Sequence, residues 1–94
     1  MQAELTQLQN LKTQAQALLE ERNDASAYWH YQQLIEHLKG TIAASQRPTP
    51  NLKSIRSYSI KLLQDNPDAS AYWHYTQVID KINRVITYIQ KTIS

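Results

Sequence analysis

Apolar residues recur at helical spacing through four stretches of the chain. Leu5, Leu8, Leu11, Ala15, Leu18 and Leu19 form the first series. Recurrence at i, i+3, i+4 and i+7 marks one face of an α-helix. Tyr28, Tyr31, Leu34, Ile35, Leu38 and Ile42 form the second. Leu52, Ile55, Ser59, Leu62 and Leu63 line the third, and Tyr72, Tyr75, Val78, Ile79, Ile82, Ile86, Ile89 and Ile93 the fourth. Polar breaks separate the series. A tight turn is predicted near Glu21 to Asp24, with Asn23 or Asp24 capping the second helix by accepting from its free N–H groups. Gly40 is expected to end that helix, or to let it fray on towards Ser45. Ser45-Gln46-Arg47-Pro48-Thr49-Pro50 reads as the one real linker, with Thr49 as a cap and Pro50 as the first helical residue. Asn66-Pro67 repeats the cap-plus-proline signal.

The series are not independent. Asp24-Ala25-Ser26-Ala27-Tyr28-Trp29-His30-Tyr31 recurs unchanged as Asp68-Ala69-Ser70-Ala71-Tyr72-Trp73-His74-Tyr75. Leu8 matches Leu52 at the same offset, Leu18-Leu19 match Leu62-Leu63, and Gln33-Leu34-Ile35-Glu36 matches Gln77-Val78-Ile79-Asp80. Residues 8–38 and 52–82 share 13 identities over 31 positions, which chance does not produce. Duplication of a helical hairpin explains this. Short turns make consecutive helices antiparallel. The expected fold is therefore all-α, an antiparallel four-helix bundle built from a duplicated hairpin, with residues 1–94 as a single domain. A two-repeat solenoid is the alternative, but two repeats would leave much apolar stripe uncovered. Asn66-Pro67-Asp68-Ala69 to Trp73 has some likeness to the start of a tetratricopeptide unit; the period is wrong and the Leu-Gly step is missing.

Composition supports long helices, with one Gly, three Pro and no Phe in 94 residues. Cysteine is absent, which excludes disulfides and zinc–thiolate sites. No apolar run reaches the ~20 residues that span a bilayer. Met1 to Asn10 is polar and lacks a signal-peptide core, so a cytoplasmic location is expected. The net charge of +2 is uneven: residues 1–46 carry −2 and residues 47–94 carry +4. The second half therefore favours an anionic partner, or simply presents a solvated basic face.

Candidate chemistry is sparse. There is no cysteine nucleophile, no glycine-rich phosphate loop and no inward pair of spaced carboxylates, so no enzyme is expected and no cofactor is implied. At ~100° per residue, Tyr28, Tyr31 and Ile35 point one way, and Ser26, Trp29, His30 and Gln33 roughly the other. Ser70, Trp73, His74 and Gln77 repeat the split. Either the tryptophans pack near the turns, or Trp29, His30, Gln33, Trp73, His74 and Gln77 form twin platforms for a protein partner. A homodimer through that face also fits. Ser26 lies four residues from His30 but on a regular helix, without an oxyanion site. Metal binding by His30, His74 and His37 lacks support, since Lys81 replaces His37 in the second copy. Glu36-His37-Leu38-Lys39-Gly40 is one residue short of a His-phosphotransfer motif.

The third helix offers a second surface. Lys53, Arg56, Ser57, Ile60 and Lys61 lie opposite its leucine stripe, where the first copy has Gln9, Lys12, Thr13, Gln16 and Ala17. An isoleucine among cations suits an acidic, partly apolar partner or a membrane-proximal surface. No recognition helix rich in Arg and Asn appears, so a nucleic-acid-associated subunit is only an alternative.

Leu18-Leu19-Glu20-Glu21-Arg22-Asn23-Asp24, followed by Tyr28, Tyr31, Ile35 and Leu38, resembles the first hairpin of the immunity proteins of pediocin-like (class IIa) bacteriocins. Thr49-Pro50, then Ile55, Tyr58 and Ile60, resembles that family's proline-started third helix. The resemblance spans residues 8–63 loosely and rests on spacing. It implies a cytoplasmic four-helix protein that protects its producer by binding, at the inner face of the membrane, the transporter complex the bacteriocin uses as receptor. Lys53, Arg56, Ile60 and Lys61 would carry that contact, with Trp73 and His74 as a second group. The competing expectation is a helical adaptor or inhibitor of phage or plasmid type that binds a host protein through the repeated Trp-His faces.

Overall fold

The computed structural model describes residues 2–44 and 50–93, so the Thr49 cap and most of the linker lie outside it. Four helices account for the described chain: α1 (Gln2–Glu21), α2 (Ala27–Ala44), α3 (Pro50–Asp65) and α4 (Ala71–Ile93). They form an all-α four-helix bundle. A helix of 23 residues spans ~35 Å, so α4 runs the whole 37 Å length of the molecule. α2 and α4 form the central pair, and each also packs on both other helices. α1 and α3 flank that pair on opposite sides, with no backbone approach to each other among the described residues.

The core follows the apolar series. Leu8, Leu11, Leu34, Leu38, Leu52, Ile55, Val78, Ile82 and Ile89 are wholly buried. Each such side chain contributes about 1.5–3 kcal/mol relative to exposure. Within residues 8–38 the buried positions are Leu8, Leu11, Ala15, His30, Tyr31, Leu34 and Leu38. Within residues 52–82 they are Leu52, Ile55, Ser59, His74, Tyr75, Val78 and Ile82, the same positions 44 residues on. The two hairpins thus bury one pattern, although several residues differ.

Three expectations change. The apolar stripe of α2 is centred on His30, Tyr31, Leu34 and Leu38, which turns Tyr28 outward to 61% exposure. Tyr72 is turned outward in the same way, and Leu19 and Leu63 are also exposed. The caps are Ser26 and Ser70, not Asn23, Asp24 or Asn66. Their Oγ atoms accept from the N–H groups of Trp29 and Trp73 at 3.0 Å. Pro67 belongs to the turn, four residues before α4 begins. Gly40 does not stop α2: its φ is not positive, and the helix runs on to Ala44.

A side-chain hydrogen bond links the flanking helices. Asn51 at the start of α3 donates to Glu4 of α1 at 2.9 Å. Glu4 is buried, and its second oxygen has no partner. Its place in the first turn of α1 sets the carboxylate against the positive end of the helix dipole, which favours it there.

Candidate functional site

The octamer places its side chains in two corners of one design. In the first, Ser26 caps α2 and starts the helix, with the His30 N–H bonded to the Ser26 carbonyl. The next turn brings the His30 ring back over the end of α1. Nε2 lies 2.9 Å from the carbonyl oxygen of Arg22. A carbonyl only accepts, so Nε2 carries the proton. That oxygen also accepts from the Ala25 N–H at 3.0 Å, which uses both of its lone pairs. Trp29 stands edge-on to His30, with ring centroids 5.1 Å apart. The second corner repeats every step. His74 Nε2 donates to the Asn66 carbonyl at 3.1 Å, Ala69 N–H donates to the same oxygen, and Trp73 stands 5.1 Å from His74.

His30 and His74 are therefore buried inside the corners and not displayed beside the tryptophans. The even split of the octamer into tyrosine and Trp-His faces does not hold. Trp29, Trp73, Gln33 and Gln77 are half-buried. The corner contacts account for part of the repeat, while Asp24/Asp68 and Tyr28/Tyr72 recur although they are exposed. Arg22 and Asn66 differ in side chain, but each gives the histidine the same backbone carbonyl. The Ser, Trp and His side chains make the same contacts in both corners.

The corners differ in their surroundings. The Arg22 guanidinium lies over the Trp29 ring at 5.0 Å, a cation–π contact that Asn66 cannot give Trp73. Tyr31 crosses to the second corner and meets His74, with ring centroids 5.9 Å apart. Between His30 and Tyr75 there is instead an open pocket of about 240 Å³, edged by Leu19 and Tyr72. Tyr75 donates to the Ala15 carbonyl at 3.4 Å, whereas the Tyr31 hydroxyl is buried without a partner. Burial pushes both phenols above the usual tyrosine pKa. Nδ1 of each corner histidine is buried without a partner too.

His37 is remote from this arrangement in role. It is half-buried on α2, and its carbonyl accepts from Thr41. Among the described residues, no group of three or more His, Asp or Glu is arranged to hold a metal.

The α3 flank keeps the arrangement its spacing predicts. Lys53, Arg56, Ser57, Ile60 and Lys61 are all exposed, Ile60 at 47%. Lys53, Arg56, Ser57 and Ile60 edge an open cleft of about 350 Å³, closed on the far side by Ile42 of α2. Ion pairs among the described residues include Arg22–Asp24, Lys39–Glu36 and Arg84–Asp80. None involves Lys53, Arg56 or Lys61. No acidic residue occurs between positions 51 and 64. The flank is thus a positively charged strip, about 12 Å long at 1.5 Å per residue, with the aliphatic Ile60 between Arg56 and Lys61.

Sequence reasoning missed the buried Glu4 and the exposed Leu19–Tyr72 and Leu63–Tyr28 groupings. Apolar spacing alone places Leu19 and Leu63 on the core stripes. Their position in the last turn of α1 and α3, next to the corner, was the available signal.

No protein-family model matches the chain, and no curated protein or solved structure is similar enough to it to count as a match. No described helix is long and apolar enough to cross a membrane.

Proposed function

We propose that the chain is a binding protein that confers immunity to a pediocin-like bacteriocin, and that it engages the bacteriocin-receptor transporter complex through the α3 flank. The supporting observation is the unpaired basic strip of Lys53, Arg56 and Lys61 around exposed Ile60. It stands on one hairpin only, so the duplicated architecture does not require it. A surface that folding does not require, and that keeps three cations free of acids, suits an anionic or membrane-adjacent partner. The reading is one of binding without chemistry, at the inner face of the membrane, in the cytoplasm.

Expression of the chain in a sensitive Gram-positive host tests this. Survival under a pediocin-like peptide is expected, together with peptide-dependent recovery of the receptor transporter complex on the tagged chain. A Lys53→Ala/Arg56→Ala/Ile60→Ala variant is expected to lose both. Full sensitivity with the parent chain expressed and folded would end the immunity reading.

A second reading is favoured by the exposed aromatic residues. Tyr72 with Leu19, and Tyr28 with Leu63, are repeated and exposed, next to the half-buried Trp73 and Trp29. A helical adaptor or inhibitor would use these groupings rather than the histidines. Protein capture abolished by Tyr28→Ala/Tyr72→Ala and untouched by the α3 variant would favour it.

A further inference from the structure

We infer that the α3 flank is a docking surface for an anionic phospholipid bilayer. The inference deepens the immunity reading and rests on it only for the identity of the membrane.

Three observations combine. Lys53, Arg56 and Lys61 are exposed and have no ion-pair partner among the described residues. They sit on one side of a helix whose other side is fixed in the core by Leu52, Ile55 and Ser59, so the strip is presented rigidly. Ile60 stands exposed among them, and Ile42 continues the apolar floor of the cleft. Cations framing an aliphatic side chain match the two layers of a bilayer edge. Phosphates meet the lysine and arginine heads, and the isoleucine enters the headgroup–acyl boundary.

The same surface fits nucleic acid less well. Affinity for a polyphosphate grows with the number of phosphates neutralised, and three cations on a short strip neutralise few. The isoleucine among the cations is one that no phosphate or base edge needs. α3 also lacks an aromatic ring exposed among the cations on which a base could stack, since Tyr58 is half-buried with Lys81 lying 5.5 Å over its ring.

The copy in the first hairpin serves as an internal control. It carries Gln9, Lys12, Gln16 and Ala17 in place of Lys53, Arg56, Ile60 and Lys61. Lys12 is also half-buried. The α1 flank therefore has one cation and no exposed branched aliphatic residue, and it should not bind.

Flotation of the full chain with phosphatidylglycerol-containing vesicles, against pure phosphatidylcholine vesicles and duplex DNA, tests the assignment. Binding to the anionic vesicles alone, weakening with salt, is expected. Each cation replaced by Gln should lower binding about fivefold, so Lys53→Gln/Arg56→Gln/Lys61→Gln should lower it roughly a hundredfold. Ile60→Ser should weaken it further at high salt, where the charges are screened. Lys12→Gln should change nothing. All of these residues lie outside the core, and circular dichroism is expected to show an unchanged helix content. Equal binding to both vesicle types, a triple variant that binds like the parent, or binding to DNA without vesicle binding would overturn the inference. Vesicle binding without protection of sensitive cells would remove the immunity reading and leave the lipid surface standing. Protection without vesicle binding would do the reverse.

Discussion

The two hairpins bury the same seven positions and close with the same corner, yet they differ on their outer flanks. α1 shows solvent mostly neutral polar residues where α3 shows Lys53, Arg56, Ile60 and Lys61. The difference separates two kinds of constraint. Ser, Trp and His make the same contacts in both corners, the serine as cap, the histidine on the turn carbonyl and the tryptophan edge-on to it, whereas the inner tyrosines Tyr31 and Tyr75 make different ones. The flanks lie outside the core, and they differ: only that of α3 is basic. The buried part of the repeat marks architecture, and the asymmetric flank marks where lipid binding is proposed.

The largest expected effect comes from breaking a corner. His74→Ala removes a buried ring, its bond to the Asn66 carbonyl and its contact with Tyr31. It should cost about 2–4 kcal/mol in urea unfolding. His30→Ala should cost less, by about 0.5–1 kcal/mol, because His30 borders the open pocket where His74 meets Tyr31. Equal costs would show that the cross-hairpin ring contact contributes nothing.

Next are the caps. Ser26→Ala and Ser70→Ala should each cost about 1 kcal/mol. Their costs should agree closely, since both serines accept from the backbone at 3.0 Å. A large disparity in the unfolding midpoints would mean that the corners are alike in geometry but not in energy.

The hydroxyls give a smaller and asymmetric pair. Tyr75→Phe removes a long hydrogen bond to Ala15 and should cost about 0.5 kcal/mol. Tyr31→Phe removes a buried hydroxyl without a partner and should be neutral or slightly stabilising. The reverse order of the two would contradict the bonding described.

The same tyrosines set a pH dependence that is silent near neutrality. Their pKa values are raised from 10.0 by burial. Above pH 10 the unfolded chain therefore releases these protons before the folded one does. Unfolding then releases protons, and stability falls as pH rises from 10 through the raised values. Urea midpoints should decline in that window, and less so in the Tyr31→Phe/Tyr75→Phe double variant.

The helices, the duplication and most of the core were legible in the sequence, because apolar spacing and identity at a fixed offset are local signals. The α3 flank was legible for the same reason: a surface opposite a leucine stripe needs only the helical angle. The corners were not. Tyr28 was read as core and His30 as surface because tyrosine counts as apolar and histidine as polar. What reverses them is a carbonyl eight residues earlier, at Arg22 or Asn66, that has a lone pair left over at the end of a helix after bonding the turn N–H. That acceptor belongs to the backbone, so no side chain at those positions announces it. The caps were misassigned for a related reason. Asn23 and Asp24 are good capping types, but the turn needs extra residues to carry the chain round before Ser26 can start α2. Glu4 was missed because a lone carboxylate near a chain start looks solvated until Asn51 is brought beside it.

The account turns on the histidines being locked inside the corners and not facing a partner. Long-range proton–nitrogen correlation spectra of the imidazoles, recorded at neutral pH, test this directly. The account predicts that His30 and His74 both show the Nε2–H form, with ring protons that exchange slowly with water. An Nδ1–H form at either position, or rapid exchange of either Nε2 proton, would contradict it and return the histidines to the surface.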